Sequence, residues 1–268
     1  MTLGLRDLAF LGGLTVAVGG YDTDAQTYIT AVEAADGQAL ETAVKDAINA
    51  FVVGCKADGI WSAIKACCIM AGARTLAGAL VPLVGPAPTS NNFGSEDYNR
   101  KTGVKGGADK WLVANRNNNA DPQNNKHFAV YQTEAVYGNT FYGGVGWASG
   151  GETLISNYSN FGTFWASCND FNWTNTGISF SGFVSGLVGV SRSQSSQFQA
   201  RSNATTVTIA KNSQAPLNQN FYIYRIENTQ FAPSQARLSF YSIGESLSLL
   251  TLDSRLATLM SALAAAIP

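Results

Sequence analysis

The residues that could carry hydrolytic chemistry are the carboxylates. Cleavage of a glycosidic bond requires two carboxyl groups at a defined separation across that bond. The candidates are Glu134, Glu152, Glu227 and the adjacent pair Glu96 and Asp97. Of these, Glu134 and Glu227 fall in segments with a strand pattern. They are far apart in the sequence, so they could form a pair only if folding brought them together. The spacing of the carboxylates along the chain therefore predicts no hydrolase site.

His127 is the only histidine of the chain. A histidine can deprotonate a serine nucleophile, but no Gly-x-Ser-x-Gly motif accompanies this one. It stands at the start of a strand pattern beside an asparagine-rich stretch, which favours a hydrogen-bonded structural histidine. Phosphate-binding and dinucleotide-binding glycine motifs do not occur either. We therefore expect no enzymatic activity and no cofactor.

Aromatic residues suggest binding rather than catalysis. They are dense between positions 137 and 173 and alternate with Asn and Gly; among them are Tyr137, Phe141, Tyr142, Trp147, Tyr158, Trp165, Phe171 and Trp173. Aromatic faces stack on sugar rings, and Asn side chains both donate to and accept from hydroxyl groups. The rings could equally fill a core. If they bind a ligand, we expect Tyr142, Trp147, Trp165 and Trp173 to do so, foremost Trp147 and Trp173, which adjoin turns.

Two further groups of potential ligands are interpreted as structural. The polar stretch 115–125 offers oxygen atoms that suit Ca²⁺ but only one carboxylate, Asp121, so a hydrogen-bonded loop is preferred over a calcium site. The cysteines are Cys55, Cys67, Cys68 and Cys168. Their spacing fits no metal site, and we expect buried, reduced thiols, as in a protein folded in a bacterial cytosol. The sequence predicts no metal.

The elements that would position these residues begin with helices. Over about 24–83, apolar residues recur at steps of three and four, which is the pattern of an amphipathic helix. They include Leu40, Val44, Ile48, Phe51, Val52 and Cys55. Gly37 separates an earlier helical turn, and Asp58-Gly59 predicts a turn before a second helix from Ile60. We expect a helical stem over residues 23–86.

Residues 91–244 have a different pattern. Short β-branched and aromatic runs alternate with Gly, Asn and Ser clusters, as in an all-β sandwich. The segments 128–134, 206–209, 221–226 and 237–243 show the period of two of a half-buried strand. The sequence therefore predicts an antiparallel jelly-roll sandwich over residues 87–245, and an α+β fold for the chain.

The last residues, 246–268, return to a helical pattern. Leucines step alternately by three and four, which is the spacing of a heptad seam; they are Leu249, Leu252, Leu256, Leu259 and Leu263. We interpret this helix as packing on its own sandwich or stem. A seam between subunits of an oligomer is the alternative.

Composition limits the partners. The 17 Lys and Arg residues balance 18 Asp and Glu residues, for a net charge of −1, so the chain lacks the basic character of nucleic-acid-binding proteins. The apolar run 8–18 is too short to span a bilayer. It is preceded by Arg6 and Asp7, whose opposite charges cancel, and a segment without net positive charge is atypical of a signal peptide. We expect residues 1–22 to dock to a partner protein, with a targeting signal as the alternative, and no membrane insertion.

Three stretches resemble known proteins. The segment 44–66 (VKDAINAFVVGCKADGIWSAIKA) resembles a helical segment of bacteriophage tail and fibre proteins. The segments 97–131 and 236–260 resemble the first strands, and the closing strand and C-terminal helix, of a concanavalin A-like (laminin-G-like) jelly roll. Catalytic members of that superfamily often carry Glu-x-Asp-x-x-Glu on one strand, and this chain has no such pattern. The resemblance is to structural motifs, so it bears on the fold more directly than on the function.

The resemblance implies a bacteriophage virion protein, assembled in the host bacterial cytoplasm. We expect a tail fibre or receptor-binding protein that attaches to other virion proteins through its N-terminal segment. Its ligand would be host cell-surface polysaccharide, and it would be a homotrimer. A head-decoration or capsid fibre protein without a receptor role is the alternative, and a glycan depolymerase is a third possibility.

Overall fold

Helices flank a two-sheet sandwich in the computed structural model, which describes residues 20–134, 140–146, 150–158, 162–227 and 233–268. The helices are α1 (Thr23–Asp36), α2 (Thr42–Ala57), α3 (Leu76–Ala79) and α4 (Leu249–Ala266). The first strands are β1 (Ile64–Ile69), β2 (Thr89–Asn91), β3 (Tyr98–Asn99), β4 (Gly103–Lys105), β5 (Trp111–Asn117), β6 (Lys126–Glu134), β7 (Thr140–Val145) and β8 (Glu152–Tyr158). The others are β9 (Thr163–Asp170), β10 (Thr174–Ser179), β11 (Gly186–Gln194), β12 (Gln197–Ser202), β13 (Thr205–Ala210), β14 (Asn220–Ile223) and β15 (Arg237–Gly244).

The strands form two antiparallel sheets. The first, which we call the helix-facing sheet, has the order β13-β12-β11-β6-β15-β4-β3, and β1 also pairs with β15. The second, which we call the distal sheet, has the order β10-β9-β8-β7-β14-β5-β2. The sandwich predicted from the alternating pattern is confirmed, with helices at its N-terminal and C-terminal ends.

Strand β6 lies between two hydrophobic layers. Phe128 and Val130 point into the core between the sheets, while Ala129 and Tyr131 point to the layer that contains the helices. The alternation of side chains along a strand produces this division. Because both faces of the strand are covered, its buried residues run almost without interruption.

Local signals fix the helix boundaries. The Asp22 side chain accepts a hydrogen bond from the Asp24 amide at 3.0 Å, which caps α1. Gly37 ends that helix with a φ of 69°, a left-handed conformation that glycine adopts without a steric penalty. At the start of α4, the Ser248 hydroxyl accepts from the Thr251 amide at 3.2 Å. The separation at Gly37 predicted from the sequence is therefore confirmed.

The second helix predicted from Ile60 is wrong. Residues 61–63 form a single 3-10 turn, and β1 then pairs with β15. Ala66 and Cys68 point into the sandwich core, while Ile64 and Ile69 point to the helices. A strand buried on both faces is apolar at nearly every position, so it matches helical spacing by chance. Part of the predicted stem thus belongs to the sheet.

The polar stretch 115–125 is shorter as a loop than the sequence suggested. Strand β5 extends to Asn117, residues 118–120 form a 3-10 turn, and β6 begins at Lys126. Asp121 is buried and pairs with Arg116 and Lys126. The arrangement is that of the hydrogen-bonded structural loop.

Helix α4 packs within its own chain. All five leucines of its heptad pattern are buried, and the helix lies against α2 and β11. By length and composition α4 could cross a membrane, although its leucine face packs against the rest of the chain. A trimer would therefore need a surface other than this seam.

Candidate ligand-binding face

The two sheets differ in what covers their outer faces. Residues of the helix-facing sheet, among them Tyr131, Leu187 and Phe240, form one hydrophobic cluster with α1, α2 and α4. That face is therefore closed by the chain itself. The outer face of the distal sheet carries its own, smaller hydrophobic cluster, formed by Phe141, Leu154 and Ile226.

Alternation along the strands places three aromatic rings together on this outer face. Tyr142 and Phe164 point into the sandwich core, so their neighbours Phe141 and Trp165 point outward. Trp173, just before β10, packs against both: its ring centroid lies 5.3 Å from that of Phe141 and 5.5 Å from that of Trp165. We call Phe141, Trp165 and Trp173 the aromatic face.

The aromatic face has a buried and an accessible part. Phe141 is 1% exposed and anchors the group, whereas the indoles of Trp165 and Trp173 are partly exposed. The indole Nε1 of Trp165 donates to the Thr163 hydroxyl at 3.1 Å, which fixes the orientation of the ring. Rings held in this way can stack on an apolar ligand surface without losing much conformational freedom.

A cation lies at the edge of the aromatic face, since the Nζ of Lys211 donates to the backbone carbonyls just before Trp173. Between residues 162 and 180 the only charged residue is Asp170, which is 1% exposed. Asn175 pairs with Trp165 across β10 and β9, so the two side chains share the outer face, and Asn175 is exposed. Amide and hydroxyl groups beside the two inclined indoles suit a ligand with many hydroxyl groups.

A second aromatic group lies on the same outer face. Tyr222 and Val113 face each other across β14 and β5, and Trp111 shares the face with Val113. The guanidinium of Arg225 lies over both rings, 4.5 Å from the centroid of Trp111 and 5.6 Å from that of Tyr222. Sequence analysis missed this group, since it lies outside the aromatic-rich segment and forms only when β5 and β14 pair.

The four predicted ligand residues have different outcomes. Trp165 and Trp173, eight positions apart in sequence, are brought into ring contact. The prediction for Tyr142 is wrong. This residue is 0% exposed, its ring stacks near Phe180 in the core, and its hydroxyl donates to Gln132. It lies one position from Phe141 and therefore points to the opposite face. Trp147 lies outside the described residues, as do Tyr137 and the side chain of Tyr158.

A polar pocket of about 280 Å³ opens on the other side of the molecule. Its lining is neutral: Ser191, Ser193, Gln194, Gln197, Phe198, Gln199, Ser246, Leu247 and Ser248. The Ser191 hydroxyl donates to the Leu247 carbonyl at 2.8 Å and so joins the two walls. Beneath the pocket, the buried guanidinium of Arg192 donates to the carbonyls of Gln194 and Gln197, which orders the β11–β12 turn. No motif in the sequence indicated this pocket.

Of the carboxylates considered for catalysis, Glu134 is held in a structural ion pair. The Nε of Arg237 lies 2.5 Å from a carboxylate oxygen of Glu134, and Glu227 follows β14 instead of lying in a strand. Glu134 and the chain near Glu227 belong to different sheets. Among the described residues, no group of three or more His, Cys, Asp or Glu side chains is arranged to hold a metal ion. All four cysteines are buried free thiols, as expected.

His127 is hydrogen-bonded within the core, as the sequence predicted. Its Nδ1 lies 2.5 Å from the carbonyl oxygen of Glu245, and its Nε2 lies 2.7 Å from the Ser242 hydroxyl. A carbonyl only accepts, so Nδ1 carries the proton and Nε2 accepts from Ser242. Burial lowers the pKa of His127 to about 4. The ring is therefore neutral and structural at physiological pH.

Comparisons with known proteins give no family. No family model and no curated protein matches the chain. Domain 4 of an extracellular arabinanase from Geobacillus stearothermophilus is 9% identical, over 64% of this chain and 82% of that chain, with a TM-score of 0.42. A Trypanosoma rangeli sialidase is 10% identical, over 75% of this chain and 33% of that chain, with a TM-score of 0.47. The botulinum neurotoxin serotype D binding domain is 9% identical, over 64% and 46% of the two chains, with a TM-score of 0.43. Likeness at this level identifies neither a family nor a ligand.

Proposed function

We propose that this chain is a non-enzymatic glycan-binding protein that uses the aromatic face of its distal sheet. The observation that carries the proposal is the contact between Trp165 and Trp173, two partly exposed indoles whose ring centroids lie 5.5 Å apart. The two indole planes are inclined by 59° to each other, so each ring can offer its own apolar face to the C–H face of a sugar ring. The exposed Asn175 beside it supplies a donor and an acceptor for hydroxyl groups.

The polar groups around the indoles indicate the ligand class. Amides and hydroxyls predominate there, and the nearby cation Lys211 is already held by the carboxylate of Asp170 and the carbonyl of Asn172. The ligand that suits this face is a neutral polysaccharide. The second aromatic group, at Trp111 and Tyr222, would extend the same surface for further sugar units, with Arg225 stacked over its rings.

The biological setting of this proposal is a bacteriophage virion. It rests on the resemblance of segments 44–66, 97–131 and 236–260 to tail-fibre and jelly-roll sequences of the concanavalin A-like kind. In this setting the N-terminal segment attaches the chain to other virion proteins and the sandwich faces the host. The protein is then a tail fibre or receptor-binding protein, assembled as a homotrimer in the bacterial cytoplasm.

The first test measures binding to neutral host polysaccharides by the full chain and by a Trp165→Ala/Trp173→Ala variant. We expect saturable binding that weakens at least tenfold in the variant, because loss of two stacking rings removes about 1.4 kcal/mol or more. Trp61→Ala is the matched control: this tryptophan is also partly exposed but packs with the helices. Equal affinity of the folded double variant and the wild type would refute the site.

A second measurement separates the virion roles. Protein that binds host cells and blocks phage adsorption acts as a receptor-binding protein. Failure of the assembled protein to bind any plausible host would favour the head-decoration alternative. Release of reducing ends from the polysaccharide would instead show a depolymerase.

A further inference from the structure

Lys126 places its amino group inside the sandwich. It is the first residue of β6 and is 0% exposed. Its Nζ donates to the backbone carbonyl of Asn118 and to the side-chain Oδ1 of the same residue, the latter at 3.0 Å. The ring of Phe221 has its centroid 5.5 Å from this nitrogen. An interior of this kind disfavours the ammonium ion and favours the neutral, nucleophilic amine.

The pKa of the Lys126 amine agrees with its buried position. Burial lowers the pKa of Lys126 to about 8, against the opposite influence of the nearby Asp121 carboxylate. A large share of the amine is therefore uncharged in weakly alkaline solution. An uncharged lysine amine is a good nucleophile.

The carboxamide of Asn118 faces this amine and is also fully buried. Its carbon Cγ is one bond from Oδ1, which lies 3.0 Å from the lysine Nζ. Its Nδ2 donates to the Gly151 carbonyl at 3.0 Å and to Asn169 Oδ1 at 3.2 Å. These two bonds fix the orientation of the carboxamide. A nucleophile and an acyl carbon are thus held together away from solvent, the condition under which proximity accelerates a reaction most.

The carboxylate of Asp121 lies beside the amine of Lys126. Its Oδ2 lies 3.8 Å from the Nζ of Lys126, and its side chain is 2% exposed. Arg116 donates to the same carboxylate through Nε, at 3.1 Å, and holds it in place. A fixed carboxylate beside an attacking amine can accept the proton that the nitrogen must release.

We propose that Lys126 and Asn118 form an intramolecular amide bond, a self-catalysed modification that goes beyond the proposed glycan binding. Nζ attacks Cγ, the Cγ–Nδ2 bond breaks, and one molecule of ammonia leaves. Asp121 takes a proton from Nζ as the new C–N bond forms, and this proton passes to the departing Nδ2. An amine and a primary amide thus give a secondary amide and ammonia, with no change of oxidation state.

The bond would join the two sheets covalently. Asn118 directly follows β5 of the distal sheet, and Lys126 opens β6 of the helix-facing sheet. The cross-link would therefore close one end of the sandwich. A covalent cross-link at this position suits a protein that must persist on the outside of a particle.

The test is the intact mass of the folded full chain after incubation at pH 8. We expect a mass about 17 Da below the value calculated from the sequence, after allowance for removal of Met1, because one ammonia is lost. Trypsin should not cut after Lys126, since its amine is acylated. A folded protein that keeps the calculated mass overturns the proposal. So does a loss of ammonia with normal cleavage after Lys126.

Variants identify the atoms. Asn118→Asp can form the same amide by losing water, so its final mass should equal that of the cross-linked wild type, about 18 Da below its own calculated mass. Lys126→Met should keep its calculated mass, and Asp121→Asn should cross-link more slowly. Asn119→Asp, at the exposed neighbouring position, is the matched control and should still lose ammonia. Cross-linking in Lys126→Met, or its absence in Asn119→Asp but not in the wild type, would contradict the assignment.

Discussion

At the scale of single residues, His127 couples the fold to pH. The ring is neutral in the folded chain because it is buried in the core, where Nδ1 donates to the carbonyl of Glu245 and Nε2 accepts from the hydroxyl of Ser242. Protonation would put a second donor against the Ser242 hydroxyl and a charge into a site without solvent. Burial accordingly lowers the pKa of His127 from 6.5 to about 4.

The sign of the resulting pH dependence follows from this shift. The unfolded chain binds a proton at His127 below about pH 6.5, whereas the folded chain does so only below about pH 4. The unprotonated ring therefore contributes its full stabilisation above pH 6.5, and this contribution is lost as the pH falls to 4. The free energy of unfolding decreases by about 3 kcal/mol at most. Denaturant unfolding across this range should be less pH-dependent for His127→Gln than for the wild type. Parallel curves for the two proteins would contradict the assignment.

At the scale of elements, α4 connects the helices to the sandwich. Its leucines lie over β11 and against α2, and Arg201 of β12 donates to Asp253 of α4 at 2.8 Å. At the outer side, Arg255 pairs with Asp58 after α2, with 2.6 Å between Nε and Oδ2. The buried leucines supply most of the stabilisation, since a partly exposed ion pair contributes about 1 kcal/mol or less.

The buried leucine face of α4 predicts that shortening one side chain at its centre has a large effect on stability. Leu256 is 0% exposed, and Leu256→Ala should destabilise the protein by about 2–5 kcal/mol, because a cavity remains in a packed layer. Leu250 of the same helix is 61% exposed, and Leu250→Ala should change stability by about 0.5 kcal/mol or less. Chemical denaturation of both variants checks this difference. Similar losses for the two would mean that α4 does not pack through its leucine face.

At the scale of the whole molecule, helices and sandwich share one hydrophobic layer. The cluster that contains Val44, Phe51 and Leu256 from the helices also contains Tyr131 and Phe240 from the sheet. The rings of Phe51 and Phe240 meet edge to face, with 5.9 Å between centroids. Neither part can expose its side of this layer to water without loss of apolar burial for both.

A shared layer predicts one cooperative unfolding transition. Helix loss, followed by circular dichroism at 222 nm, and tryptophan fluorescence, to which Trp165 and Trp173 of the distal sheet contribute, should report the same midpoint. Leu256→Ala should lower both midpoints together. Two separate midpoints in the wild type would indicate a helical part that folds independently of the sandwich.

Much of the architecture could be predicted from local patterns. The strands 128–134 and 237–243, the separation at Gly37 and the buried leucines of α4 all follow from periodicities that depend only on which face of an element is covered. The prediction failed at β1, where both faces are covered and the period disappears. It also failed at Tyr142, because one position along a strand reverses the face to which a side chain points.

The sequence by itself determined most of the element types, the sandwich with helices before and after it, and the aromatic-rich segment, because these depend on composition and spacing within short windows. Only the tertiary structure decided which rings meet. Trp165 and Trp173 come together because β9 and β10 pair, and Trp111 joins Tyr222 because β5 pairs with β14. It likewise decided that Lys126 lies against Asn118 inside the core. Strand pairing and burial are long-range outcomes, and no local pattern encodes the partner that each side chain finds.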